Sequence, residues 1–230
     1  MISILRICII VFVATVIAVT AIILSPFDTK GKIAFFLSKV FSKIIVTVSG
    51  IKIFVEGKEL LNPEAEYIFI SNHISYLDIP ILMQAIPNNI RFIYKKSMNK
   101  IPIFGWAMYL TKYIPIDREN GREAMKSLKK AAGLADKGIS IVIFPEGTRS
   151  DDGNIMEFKR GFSVLADEAK KEIVPVLIKG SNNILGKDSF KINPGKAGVK
   201  IFPPVEFTRD KKLFDGIRDL LISEKENFNF

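Results

Sequence analysis

Three regimes of apolar spacing divide the chain. Residues 8–24, CIIVFVATVIAVTAIIL, form seventeen positions without a charge. At about 1.5 Å rise per residue, such a helix lies near the lower limit for crossing a bilayer. Ser25-Pro26-Phe27-Asp28-Thr29-Lys30-Gly31-Lys32 then interrupts the run like a turn. Over residues 33–50, Phe35, Phe36, Leu37, Val40, Phe41, Ile44 and Ile45 are interleaved with Lys39 and Lys43, the pattern of an amphipathic interfacial helix. From residue 51 onward, short β-rich runs alternate with longer helical ones.

That alternation predicts strands over 51–56, 67–71, 91–95, 139–144, 173–179 and 199–202, with helices over 120–137, 161–171 and 209–226. Residues 139–144, ISIVIF, are continuously apolar, as in a strand buried on both faces. Asn120 is placed to cap its helix and Gly138 to end it. Residues 179–196, with Ser, Asn, Gly and Pro, read as the most flexible loop. The fold class that follows is α/β: a mixed, largely parallel sheet flanked by helices, preceded by a membrane-anchoring helical segment. The expected division is 1–50 for the membrane-associated helices and 51–230 for the α/β domain. Ligands in such sheets sit beyond the carboxyl ends of strands.

Charge narrows the partners. The 33 Lys and Arg exceed the 24 Asp and Glu, giving +9. Nucleic acid, an anionic membrane surface or phosphorylated substrates would each suit this surplus, as would a merely solvated basic surface. The apolar N-terminus and the scarcity of exposed-aromatic signals argue against nucleic acid. Cys8 is the only cysteine and His73 the only histidine, which leaves neither a disulfide framework nor a zinc-type cluster. A cleaved signal peptide is disfavoured by its weak positive start and the lack of a small-x-small site. A spanning helix and a hairpin dipping into one leaflet both fit. In either, Lys30, Lys32, Lys39 and Lys43 keep the following domain on the cytoplasmic face of the membrane.

Two segments carry candidate chemistry. Ser71-Asn72-His73-Ile74-Ser75-Tyr76-Leu77-Asp78 follows the 67–71 strand. A helix starting just after His73 would let Asp78 reach back to Nδ1, freeing Nε2 to take a hydroxyl proton. The competing reading is a helix-capping histidine beside an aspartate that serves only the helix dipole. Ser71 and Ser75 flank the histidine too closely to aim at its ring, and neither sits in a G-x-S-x-G elbow, so direct attack by an acceptor alcohol on a thioester is favoured. Phe144-Pro145-Glu146-Gly147-Thr148-Arg149-Ser150 follows the 139–144 strand. Gly147 there permits close backbone approach, Arg149 suits a bidentate grip on phosphate, and Glu146 can accept a bond from a hydroxyl. A surface turn with an internal Glu–Arg pair is the competing reading. Lys95, Lys96 and Arg118 end other β-like runs, and Trp106 reads as either an interfacial anchor or a core side chain. A base joined to a phosphate cradle suggests acyl transfer to a phosphorylated alcohol.

Taken jointly, these segments resemble the glycerolipid acyltransferases, specifically the 1-acyl-sn-glycerol-3-phosphate (lysophosphatidic acid) acyltransferase family. Asn72-His73 through Asp78 matches the N-H-x₄-D block. Residues 112–118, KYIPIDR, resemble a second block that usually reads G-x-x-F-I-D-R. Residues 144–150 match F-P-E-G-T-R-S in full, and Ile173-Val174-Pro175-Val176 resembles a proline-centred fourth block. The resemblance covers about residues 51–207. It implies that His73 is the general base and Asp78 its orienter. Glu146 and Gly147 would help place the glycerol backbone, with Thr148 also binding substrate; Lys95, Arg118 and Arg149 would bind phosphate, and Pro175 would shape the acyl side. It implies an enzyme that moves a fatty acyl chain onto the sn-2 hydroxyl of lysophosphatidic acid, with acyl-CoA or acyl-carrier protein as donor, no metal or redox cofactor, and membrane lipids as partners. Lys112 and Pro115 depart from the usual Gly and Phe, and a cation at 112 would bear on headgroup preference. The alternatives are another acceptor, such as glycerol-3-phosphate, another lysophospholipid or a lyso-ornithine lipid, and a non-catalytic protein that binds anionic lipid.

Overall fold

The computed structural model describes residues 2–159 and 161–230. Seven strands form one sheet in the order β1-β7-β6-β2-β5-β3-β4. They are β1 (Ile51–Glu56), β2 (Ile68–Ser71), β3 (Ile90–Lys95), β4 (Ile114–Ile116), β5 (Ser140–Ile143), β6 (Ile173–Lys179) and β7 (Gly195–Ile201). Only the β6–β7 pairing is antiparallel among the named strands, so the expected mixed, largely parallel sheet is what forms. All four residues of β2 and of β5 are buried, as uninterrupted apolar runs require when helices cover both faces.

Strand alternation sends side chains to two cores. Val174, Val176 and Ile178 of β6 join Phe69, Phe92 and Val142 on the face carrying α2 (Lys32–Ser49) and α3 (Asp78–Ala85). Ile173 and Leu177 join Ile68, Ile70 and Ile141 on the other face. That face is covered by α5 (Gly121–Ala135), α6 (Gly161–Ala169) and α8 (Lys211–Asn227). α5 starts where Asn120 accepts N–H bonds from Arg122 and Glu123, and buries Leu128, Ala131, Ala132 and Ala135. Phe214, Ile217 and Leu221 give α8 its buried stripe.

α1 (Ile2–Leu24) lies lengthwise against the domain. Ile7 and Ile10 pack on the first core, while Ala18 and Ala21 are buried. Leu5, Phe12, Val16, Val19 and Ile23, on the opposite stripe, are exposed. Both ends are tied down. Arg6 donates to the carbonyl of Ile192 at 2.8 Å, and the Asp28 carboxylate beyond the far end accepts the N–H groups of Ile33 and Ala34. Arg91 is fully buried beneath this junction. It donates to the carbonyls of Gly31, Ile90 and Thr111 and to the Asn89 side chain. Burial pulls its pKa below the ordinary value, opposed by nearby Tyr113 and Asp28.

Four expectations are corrected. The helix after β2 begins at Asp78 rather than just after His73. The 179–196 loop contains a one-turn helix, α7 (Ser181–Ile184), and β7 opens at Gly195 instead of 199. Lys112 holds φ at 68°, which accounts for glycine in the block it resembles, and its ammonium donates to the carbonyls of Asp28 and Thr29. Its charge therefore serves the α1–α2 junction rather than a headgroup. Pro175 lies between the isolated bridge Ile173↔Val205 and the start of the β6–β7 ladder at Val176↔Ile201, where a missing N–H leaves no ladder bond unmade.

Candidate active site

The site assembles where β2 and β5, adjacent and parallel, both end. Asn72 carries the ladder one residue past β2: its side chain donates to the carbonyl of Ile178 at 2.9 Å and accepts the Ile178 N–H at 2.8 Å. The chain then leaves the sheet at His73. Asp78 sits in the first turn of α3 and turns one oxygen, Oδ2, on three donors. It takes the N–H of Ile74 at 2.7 Å and of Ser75 at 2.8 Å, and lies 2.8 Å from His73 Nδ1. Its other oxygen accepts the Ser181 hydroxyl. With Asp78 fully buried and acting only as an acceptor, the bond to Nδ1 assigns the proton to that nitrogen and leaves Nε2 as acceptor.

The 144–150 turn closes around the histidine from three sides. The Phe144 ring stacks on the imidazole with centroids 4.0 Å apart. Glu146 accepts the His73 N–H at 2.7 Å, and Ser150 donates its N–H to the His73 carbonyl at 2.8 Å. Glu146 is buried, and its second oxygen accepts the Met156 N–H at 2.9 Å. Burial pushes its carboxyl up to about 7, against the pull of the Met156 and His73 N–H donors. Each oxygen thus takes one backbone N–H and keeps a further acceptor site, so Glu146 braces the turn around His73. Ser75 donates to the carbonyl of Leu185 and Ser71 to that of Asn72, so neither serine is directed at the ring.

The cations lie around this turn. Arg118 donates to the Gly147 carbonyl. Gly147 has φ at 72°, and a Cβ there would meet the Lys159 side chain at 3.0 Å. Arg149 rests its guanidinium 3.5 Å from the Tyr76 ring centroid and donates to the Lys187 carbonyl at 2.8 Å. Thr148 is exposed at the turn's tip. Lys95 ends β3, half-exposed and 3.8 Å from Glu119, the residue after Arg118. Pro175 is not brought in: it shares the sheet face of Ile173 and Leu177, whereas Phe144 packs on the opposite core. Among the described residues, no group of three His, Cys, Asp or Glu side chains gathers as a metal would require.

Beneath His73 the aromatic stack continues from Phe144 to Phe92 at 6.1 Å. Phe92 walls a largely apolar cavity of about 180 Å³, bounded also by Ala18 of α1, Phe41 and Ile45 of α2 and Met83 of α3. Ser181, which braces Asp78 from 103 residues away, had no signal in the sequence: it lay in an irregular loop with nothing to mark its partner. Tyr76 was equally silent, although it lies inside the N-H-x₄-D block.

A histidine oriented by a buried carboxylate, beside arginines and above an apolar cavity, defines a class: α/β proteins whose site can take a proton from a hydroxyl close to cationic side chains. The model of the family described as Acyltransferase matches residues 52–179, and the chain belongs to that family. A 1-acyl-sn-glycerol-3-phosphate acyltransferase of Cocos nucifera is 36% identical over 168 residues, 73% of this chain and 54% of that protein. The alpha form from Ovis aries is 31% identical over 157 residues, 68% of this chain and 55% of that protein. The chain thus spans little more than half the length of these curated relatives. The crystal structure of the LPA acyltransferase PlsC from Thermotoga maritima shares the fold. Its TM-score is 0.81 at 24% identity, covering 99% of this chain and 97% of that one.

Proposed function

We propose that this protein transfers a fatty acyl chain from a thioester to the sn-2 hydroxyl of 1-acyl-sn-glycerol-3-phosphate, forming phosphatidic acid. The observation that carries this is the His73–Asp78 pair, with Nδ1 engaged and Nε2 unspent, enclosed by the turn that bears Arg149. Nε2 takes the acceptor's hydroxyl proton as its oxygen attacks the thioester carbonyl. The C–S bond then breaks, and the imidazolium returns the proton to the leaving thiolate. Asp78 stabilises the imidazolium formed between these steps. Arg149, with Arg118 and Lys95, meets the acceptor's phosphate, which replaces their carbonyl, aromatic or carboxylate partners. Gly147 and Thr148 lie where the glycerol moiety passes, and the 180 Å³ cavity takes apolar chain. The names of the relatives support this acceptor. Glu146 acts by positioning His73, and Pro175 through the sheet.

Residues 1–50 are proposed as the membrane-associated segment and 51–230 as the reactive domain, on the cytoplasmic face. α1 is long and apolar enough to cross a bilayer, yet the domain bonds it at Arg6 and bonds the residues just past its far end, through Lys112 to Asp28 and Thr29 and Arg91 to Gly31. That favours a hairpin lying in one leaflet over a span, because a perpendicular α1 would draw the domain into hydrocarbon. The test is acyl transfer to lysophosphatidate in vesicles, run with acyl-CoA and with acyl-carrier protein as donors. Wild type is expected to turn over and His73→Ala is not. Activity on glycerol-3-phosphate or a lyso-ornithine lipid alone would replace the acceptor, and equal function of wild type and His73→Ala would remove the enzyme reading.

A further inference from the structure

A second lipid-facing surface lies outside the reactive site, on α4 (Phe104–Leu110) and the turn before it. Gly105 and Ala107 of this helix are buried, and Phe104, Ala107 and Met108 help wall the apolar cavity. The opposite side is uncovered: Trp106 is 57% exposed and Tyr109 55%, with Leu110 and Ile101 also exposed. The rest of the described chain leaves this apolar surface uncovered. A soluble protein rarely gathers four such residues on one short helix and its leading turn.

Their surroundings name the occupant. Lys112, two residues past Leu110, donates to the carbonyls of Asp28 and Thr29, directly after exposed Phe27. The apolar stripe of α1, which reaches Ile23, therefore continues through Phe27 onto α4. Cations border it: Lys130 places its ammonium 5.6 Å from the Tyr109 ring centroid, and Lys100 is exposed on the turn. The orientation of α4 is itself specified. Ile103 sits at φ 64° in a tight turn closed by the Phe104 N–H on the Pro102 carbonyl, a conformation few β-branched residues adopt. Trp and Tyr with an apolar neighbour, edged by lysines and continuous with an apolar helix, is the composition of a membrane–water interface.

We infer that the Ile101–Leu110 surface is a second membrane contact: Trp106, Tyr109 and Leu110 enter the headgroup region of an anionic leaflet while Lys100 and Lys130 meet lipid phosphates. Continuous with α1, it widens the lipid-facing support beyond that helix, which fixes the domain's tilt and hence the height of His73 above the lipid. The inference rests on the membrane association proposed above.

Trp106 is the only tryptophan in the chain, so wild-type protein reports on its own surface. The full-length protein is transferred from detergent into mixed phosphatidylcholine–phosphatidylglycerol vesicles. Flotation is measured together with Trp106 emission, iodide quenching and quenching by lipids brominated at different chain depths. The expected result is co-flotation with a blue-shifted emission, loss of iodide quenching, and strongest quenching by shallow bromines, placing the indole about 5–10 Å into the interface. Co-flotation with Trp106 still open to iodide and untouched by bromolipids would overturn this surface and leave the α1 anchor standing. Absence of flotation would overturn the membrane association and this surface with it.

Discussion

His73 and Arg149 lie on adjoining loops, yet the protein holds them in opposite ways. Around His73 nearly every polar atom is committed. Asp78 takes two backbone N–H groups, the imidazole and the Ser181 hydroxyl, while the histidine's own N–H and carbonyl are engaged by Glu146 and Ser150. Arg149 leans on an exposed tyrosine ring and one carbonyl, and Arg118 on another carbonyl. Those neutral partners give way to a phosphate, whose charge-assisted bonds are roughly twice as strong as neutral ones. The base is thus preorganised at the cost of many fixed contacts, and the anion grip is left with contacts a ligand can outcompete. A base must be aimed before substrate arrives, whereas a charge–charge attraction can complete its own geometry.

The contrast can be broken most decisively at His73. Replacing it with Ala is expected to lower kcat by about 10²–10⁴-fold with little change in KM, measured as initial rates on lysophosphatidate. Asp78→Asn should share that loss and also lower the melting temperature, because its amide faces donors that need an acceptor. Next in size, Arg149→Ala should raise KM for lysophosphatidate by roughly 10–100-fold, as the loss of a bond worth about 1.5–3 kcal/mol implies, with kcat and thermal stability nearly kept. A fall in kcat at constant KM would place Arg149 with the base and dissolve the distinction.

Ser181→Ala sharpens the comparison from the rigid side. It removes the donor to Asp78 Oδ1 and is expected to cost about tenfold in kcat, with KM unchanged. If KM moved instead, Ser181 would be serving the acceptor pocket. A last test reads stability instead of turnover and concerns Glu146. Its carboxyl is raised by burial from 4.5 to about 7, so the folded state holds a proton that the unfolded state has released across that interval. Its contribution to stability is therefore complete below about pH 4.5 and declines as pH rises to about 7, by at most about 3 kcal/mol. Calorimetric melting points should fall by several degrees over that range and level off above it. A flat profile would mean that the Met156 and His73 N–H donors keep Glu146 ionised throughout.

Much of this was legible in the sequence. β1 and β6 fall on their predicted residues because each is an apolar run bounded by turn formers, and Asn120 caps α5 as its position in sequence implied. The reach of Asp78 to Nδ1 was also foreseen, although the expected helix was not what delivers it: a turn closed by the Asp78 N–H on the Ser75 carbonyl does, and the helix starts at the aspartate. Lys112 and Glu146 take partners that charge alone does not name. Charge says that a side chain can bind an anion or a hydroxyl; it does not say where the side chain points, and here one meets the α1–α2 junction and the other the backbone of its own site.

The alternation of strands with helices, the apolar N-terminal segment and the two reactive blocks followed from the chain alone, since periodicity, turn chemistry and spacing are local properties. The closure of the 144–150 turn around His73, the support of Asp78 by a serine 103 residues away, the removal of Pro175 to the other sheet face and the lengthwise seating of α1 were decided only by tertiary structure. Each depends on which strands become neighbours and which face of the sheet a residue takes, and those choices are made by burying the whole apolar surface at once.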